Sequence, residues 1–250
     1  MKNTITVSVV SHGHGALLNE CLRALTQCPD IAKVVLTLNI AEPLLEIPEA
    51  LVDRIYKIEN MNPKGFGENH NQAFRFCNTP LFCVLNPDIT FNGDPFSHLK
   101  MAIAETDVGV IAPVVRAPDG AIEDNVRQFP TLSGLISKVI FGKSGAITVP
   151  ADSTAISVDW VAGMFMLFRS EWFSMVGGFD THFFLYYEDA DICTRLWKSR
   201  AKIKAIQPMV HVTHAAQRAS HVRLRFLTWH LQSMARYFMK HAARLPRRGE

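Results

Sequence analysis

Short β-branched apolar runs alternate with amphipathic segments along residues 4–88, and the two periods are distinct enough to place elements. Residues 4–10 (Thr-Ile-Thr-Val-Ser-Val-Val) read as a strand. Leu17, Leu18, Cys21, Leu22 and Leu25 then recur at helical spacing over residues 16–25. Residues 34–38 and 54–58 read as two further strands, residues 69–77 as a helix, and residues 81–85 as a buried strand that stops at Asn86-Pro87-Asp88. Strand and helix in alternation imply right-handed crossovers and a mostly parallel central sheet flanked by helices. The pattern loosens afterwards: a helix over 96–105, a strand over 108–115, and a Gly/Ser-bearing stretch from 130 to 150 that reads as a mobile loop. Order returns with a strand over 158–168, a helix over 170–176, a second helix running to about 199, and a strand over 204–213.

Composition narrows the class. The 250 residues are 48% hydrophobic, enough for one large core, and the net charge of +3 is too small and dispersed for a nucleic-acid protein. Five scattered cysteines without a Cys-x-x-Cys pair argue against a disulfide framework and a zinc knuckle. The longest uncharged apolar run, residues 160–168, is about half a membrane span, and no signal segment is visible, so a cytoplasmic protein, soluble or peripheral, is expected. Residues 218–248 interleave aromatic and basic residues at near-helical spacing, which suits either an anionic membrane surface or a helix packed on the core with a solvated basic face.

Ligands on a parallel sheet sit beyond the carboxyl ends of its strands, and three turn motifs fall there: residues 11–15, 62–71 and 86–88. Gly65-Phe66-Gly67 permits close backbone approach, and Asn69 and Asn71 offer uncharged donors and acceptors; a glycine turn with Asn69 as a helix cap reads equally well. Asn86-Pro87-Asp88 presents one carboxylate and one amide at the sheet rim, either a plain turn or a pair facing a diphosphate-bound cation. His211 and His214 follow the last apolar stretch. The densest chemistry lies at 177–196, where Gly-Gly-Phe-Asp and an aromatic run lead into Glu188, Asp189 and Asp191. A helix start accounts for the acids but not for the aromatics that would raise their pKa values, so a catalytic carboxylate on a helix N-terminus is the fuller reading. Arg195, one turn after Asp191, is placed to pair with it.

Taken in order, Val9-Val10-Ser11-His12-Gly13-His14, Gly65-Phe66-Gly67 with Asn71, Leu85-Asn86-Pro87-Asp88, Trp160-Val161-Ala162-Gly163-Met164, Gly177-Gly178-Phe179-Asp180 and Phe183 to Asp189 resemble the family-2 inverting glycosyltransferases of GT-A fold. Within that family they are most similar to bacterial rhamnosyltransferases of O-antigen and polysaccharide assembly. The resemblance implies an α/β, GT-A type nucleotide-sugar-binding domain over 1–217, followed by a basic helical extension over 218–250. It implies Asp189 as catalytic base with Glu188 beside it, and a donor site of Ser11, His12, Asn39, Gly65, Phe66, Gly67, Asn71, Asn86 and Asp88. Gly163 and Asp191 would lie on the acceptor side, with Asp88 and His214 toward a Mg²⁺ or Mn²⁺ ion. The implied reaction moves a sugar, rhamnose from dTDP-rhamnose, onto a saccharide or lipid-linked saccharide; peripheral contact with an anionic membrane is the expectation from the basic segment 218–248, and the dispersed charge gives no expectation of nucleic acid. Two departures stand out. Asn86-Pro87-Asp88 replaces the usual Asp-x-Asp, so weak metal affinity is expected, and Leu38 stands where many relatives place an Asp that holds the nucleotide, which leaves the base open. A sugar nucleotidyltransferase and a non-catalytic nucleotide-sugar-binding subunit are the competing classes; the former would carry basic residues in its first Gly-rich turn, and residues 11–15 have none.

Overall fold

The computed structural model describes residues 4–43, 46–131, 145–152, 154–215 and 224–241. An eight-stranded sheet forms its centre, with spatial order β3-β2-β1-β4-β11-β6-β12-β9. The first four members are β1 (Ile5–Ser11), β2 (Ile31–Leu38), β3 (Ile55–Glu59) and β4 (Leu81–Leu85), all parallel. Crossovers through α1 (Ala16–Leu25), a 3-10 turn at Glu49–Arg54 and α2 (Phe66–Phe74) connect them. Farther along lie β6 (Val108–Pro113), parallel to β12 (Lys202–Ile206), and β11 (Phe165–Arg169), inserted antiparallel between β4 and β6. β9 (Ile156–Ser157) closes that edge.

Period-two alternation sends the strands' side chains into two cores. Ile5, Val7 and Val9 of β1, with Leu81, Cys83 and Leu85 of β4, pack under α1 and α3 (Phe96–Ala102). Phe82 and Val84 face the other way and meet Phe168, Phe173 and Phe179. There the rings adopt edge-on and tilted contacts at 5.0–6.2 Å between centroids, the geometry that aromatic quadrupoles favour. This second core carries α4 (Ser170–Met175) and α5 (Glu188–Lys198), and it also takes Tyr237 of α6 (Leu224–His241).

Several sequence expectations shift. The single strand expected over 158–168 is two, β10 (Trp160–Val161) and β11, because the chain turns at Ala162–Met164 and β10 pairs with β8 (Val126–Arg127) instead of joining the main sheet. The strand expected over 204–213 likewise breaks into β12 and β13 (Val212–His214). β13 lies between β5 (Ile89–Phe91) and β7 (Val115–Arg116) in a small second sheet. The second helix begins three residues early, at Phe66, since Gly65 lets the backbone start beside Phe184. Most of the loop expected over 130–150 lies outside the described residues.

Candidate active site

Two acidic motifs are joined through one turn. Where the chain reverses between β10 and β11, Met164 O accepts a hydrogen bond from Asn86 N at 2.8 Å, and Gly163 N donates to Asp189 Oδ2 at 3.1 Å. The turn therefore fixes Asn86-Pro87-Asp88 on one side and the start of α5 on the other. Gly163 is required there: a Cβ would lie 2.8 Å from the Phe66 ring. Gly163 thus bears on Asp189 through its backbone.

The loop ahead of α5 is held under constraint. Tyr186 and Tyr187 both take the left-handed conformation, φ 71° and 65°, which costs non-glycine residues energy and is retained where the surroundings over-determine it. Phe184 O accepts Phe66 N at 3.0 Å, while a Cβ on Gly65 would sit 2.7 Å from that same carbonyl oxygen. Asn71 clamps the loop from α2, donating Nδ2 to Phe179 O and accepting Phe179 N at Oδ1, both at 2.8 Å. Gly178 has φ 68°, and its absent side chain leaves space for Asn71 Oδ1. Asn71 is consequently spent on this loop, and Asn69 is fully engaged by Lys64 O, Gly65 O and Asn60 Nδ2. Asn71 was expected to face a donor, and Asn69 either to offer its amide to a ligand or to cap the helix; the hydrogen-bonding capacity of both goes to the protein instead.

α5 opens with the carboxylates. Asp189 Oδ1 accepts Ala190 N at 2.8 Å, and burial raises the Asp189 pKa despite relief from the Ala190 and Gly163 amides and the Arg127 guanidinium. A carboxylate on two amides at a helix N-terminus, yet with its pKa raised, is poised to take a proton from a hydroxyl. Glu188 is buried beside it with Oε2 unpartnered, and burial followed by the Asp189 charge pushes its pKa well up. The sign of the linkage follows: the stabilisation that a raised folded pKa gives is complete below the ordinary carboxylate value of about 4.3 and is lost as pH rises through the folded value. Glu188→Gln is therefore expected to be more stable than wild type by about 1 kcal/mol at pH 8 and equal to it near pH 4. Thermal melts across that range check this, and a variant no more stable at pH 8 would show that Glu188 is not held at a cost.

Asp191 has no such freedom. Its side chain has 0% exposure, and it receives Arg195 Nε at 2.8 Å, Lys240 Nζ at 2.7 Å and His241 Nε2 at 2.8 Å. The Arg195 pairing expected from the sequence is present. Acceptor contact by Asp191 is not what this environment permits, because its carboxylate is sealed from solvent and taken up by Arg195 of α5 and by Lys240 and His241 of α6. Lys240 also reaches Asp180 Oδ2 at 2.6 Å, and Tyr237 OH meets Thr194 Oγ1 at 2.9 Å. Nothing in the sequence distinguished Lys240 and His241 from the other basic residues of that segment. Arg127, which lies over Trp160 with its guanidinium 5.2 Å from the ring centroid, was also missed, since it stands alone in a weakly patterned stretch.

On the other side of the turn, β13 pairs with β5 in the register His214↔Ile89, and Ala215 N donates to Asp88 O at 2.9 Å. That register sets His214 Nε2 3.3 Å from Asp88 Oδ2. Burial acts to raise the Asp88 pKa, but the hydrogen bond and charge of His214, with His14 nearby, hold it below the usual carboxylate value. Asp88 Oδ1 and His214 Nδ1 are both buried without a partner. His211 is exposed. Among the described residues no three His, Cys, Asp or Glu side chains converge as a metal cage. One carboxylate oxygen and one imidazole fit a hard cation only if most of its ligands come with a diphosphate and water.

Of the other residues expected at a donor site, Ser11, His12 and Asn39 gather at the carboxyl ends of β1 and β2. Ser11 is buried and hydrogen-bonded to His14, and Asn39 N donates to Ser11 O at 2.8 Å. The Asn39 side chain joins His12 Nδ1, Asn60 Nδ2 and both backbone groups of Lys64. Gly67 packs so closely that a Cβ would meet Phe179 Cβ at 2.5 Å. His70, buried and hydrogen-bonded to Ser8 Oγ, has its pKa pushed down to about 3 by burial and serves the core.

Known proteins resemble this chain in sequence and in fold. The family described as "N-terminal domain of galactosyltransferase" matches residues 152–221. Rhamnosyltransferase WbbL of Escherichia coli K12 is 29% identical over 252 residues, covering 94% of this chain and 93% of its own. The N-acetylglucosaminyl-diphospho-decaprenol L-rhamnosyltransferase of Mycobacterium tuberculosis is 29% identical over 160 residues; the match covers 56% of this chain and 50% of that one. The mannosyltransferase PcManGT of Pyrobaculum calidifontis, solved with GDP-Man and Mn²⁺, superposes with a TM-score of 0.62 at 17% identity, over 98% of this chain and 66% of that one. These matches support an enzyme of the glycosyltransferase class, family-2-like and related to the rhamnosyltransferases, on the GT-A nucleotide-sugar fold.

Proposed function

We propose that this chain is an inverting glycosyltransferase that moves rhamnose from dTDP-rhamnose onto a lipid-linked saccharide during cell-surface polysaccharide synthesis. The observation that carries the reading is the single turn at Ala162–Met164, hydrogen-bonded at once to Asn86 and to Asp189. It ties the loop that bears a depressed-pKa carboxylate, suited to a diphosphate site, to the helix start that bears a raised-pKa carboxylate, suited to a base. In the reaction an acceptor hydroxyl attacks the anomeric carbon, its proton passes to Asp189, and the bond from that carbon to the diphosphate oxygen breaks. Inversion follows because attack and departure occur on opposite faces. Asp88 and His214 would hold a divalent cation that arrives with the donor, and that cation would offset charge on the leaving diphosphate. Residues 1–217 would form the transferase domain and 218–250 its basic extension. The relatives support rhamnose and a lipid-borne acceptor, since one is a rhamnosyltransferase and another is an N-acetylglucosaminyl-diphospho-decaprenol L-rhamnosyltransferase.

A thermal-shift panel of nucleotide sugars with and without Mg²⁺ or Mn²⁺ tests this. At donor concentrations near 100 Kd, dTDP-rhamnose is expected to stabilise the fold by about 2.7 kcal/mol, a rise of about 5 °C or more in Tm. Metal alone should shift Tm little and should enlarge the donor's effect. Addition of acceptor should release nucleoside diphosphate. Release of pyrophosphate instead would identify a nucleotidyltransferase, and no response to any nucleotide sugar would overturn the proposal.

A further inference from the structure

Helix α6 has two apolar faces, and only one is used. Ser233, Tyr237 and His241 recur every fourth residue on the buried side, where Ser233 Oγ donates to Leu185 O at 2.9 Å and Tyr237 enters the second core. On the opposite side a second stripe recurs at the same spacing: Leu227, Leu231, Ala235 and Met239, all exposed. Leu227 is 54%, Leu231 48% and Met239 79% exposed, which is unusual for a helix whose inner face already anchors it. Arg225 and Arg236 run along one edge of this stripe; Arg225 stacks on Trp229 with its guanidinium 4.6 Å from the ring centroid.

We infer that α6 lies in the plane of an anionic lipid surface, with Leu227, Leu231 and Met239 seated at the headgroup boundary and Arg225 and Arg236 on the phosphates. The charge balance selects this occupant. Residues 218–250 hold eight Lys or Arg against one acid, Glu250, so a second copy of the helix would meet its own charge, whereas an anionic bilayer neutralises it. No helix among the described residues is long and apolar enough to cross a membrane, so the contact is one of lying on the surface. The inner face of α6 bonds to Asp191, two residues from Asp189, and Trp229 stacks on Phe184 at 4.7 Å. A helix seated on lipid would thereby hold the catalytic loop at the interface. The inference rests on the transferase reading in one respect, that a lipid-borne acceptor lies there.

The experiment compares the full chain with the Leu227→Gln/Leu231→Gln/Met239→Gln variant by co-sedimentation with phosphatidylglycerol vesicles and with phosphatidylcholine vesicles. Wild type is expected to bind the anionic vesicles in about 50 mM salt, to weaken several-fold in about 500 mM as exposed charges are screened, and to bind neutral vesicles poorly. The variant should lose at least about fivefold of that binding, with Tm and nucleotide-sugar thermal shift unchanged. Equal binding to both vesicle types, none to either, or a variant that binds as well as wild type would overturn the inference. So would a wild-type dimer in sedimentation that the variant abolishes while vesicle binding persists, since a second copy would then cover the stripe. Vesicle binding with no response to nucleotide sugars would remove the transferase reading and leave the lipid surface standing.

Discussion

Asp189→Asn is expected to abolish transfer while leaving the fold and donor binding intact. The Asn side chain keeps one of the two acceptor oxygens, enough to hold Ala190 N at the start of α5, while the Gly163 N bond to the other oxygen is lost. It also loses the ability to take the acceptor's proton, and loss of a general base lowers turnover by about a hundredfold to ten-thousandfold. Because the folded state holds Asp189 with a raised pKa, the substitution removes an electrostatic cost that offsets the lost acceptor for Gly163 N, and the variant's Tm at neutral pH should stay close to that of wild type. A fall in kcat with the donor-induced thermal shift unchanged places the defect in chemistry. Wild-type activity should decline on acidification at a higher pH than an ordinary carboxylate would impose, and any residual activity of the variant should lack that limb. Retention of more than about a tenth of wild-type turnover would mean that another group takes the proton.

The carboxylates were legible in the sequence because they are dense and preceded by aromatics, whereas Asp88 and His214 were brought together only by the family resemblance, since strand spacing does not single out His214 from His211. Long-range hydrogen bonds were not legible. Asn71 looked available to a ligand, yet its partner is the backbone of Phe179, more than a hundred residues away, and no local spacing reports that. Ala162–Met164 was hidden for the opposite reason: its residues are apolar enough to continue a strand, and only the pairing of β11 with β4 and of β10 with β8 forces the turn between them. Asp191 illustrates the same limit. Its neighbour one turn away was readable from helical spacing, whereas the lysine and the histidine delivered by α6 depend on how that helix docks.

That docking supplies the second large expected effect. Asp191 is the one acid to which Arg195, Lys240 and His241 all bond, and no water replaces it, since its side chain is sealed from solvent. Its pKa is held below the usual carboxylate value: burial acts to raise it, but the His241 hydrogen bond, the Arg195 charge and Lys240 outweigh that. The stability contributed by a depressed carboxylate is present above the unfolded value of about 3.9 and is lost as pH falls through the folded one. Asp191→Ala therefore strands several donors at a buried position and is expected to cost about 3 kcal/mol or more at pH 7, with less difference at pH 3. Lys240 retains Asp180 as a partner, so His241 and Arg195 bear most of the loss. Chemical denaturation of Asp191→Ala and Asp191→Asn beside wild type measures it; Asn keeps the shape and one acceptor oxygen and should recover part of the stability. If Ala and Asn both matched wild type at pH 7, the bonds from α6 would be incidental. A large loss for Ala with partial recovery for Asn would instead fix α6 as the element that braces the helix bearing Asp189.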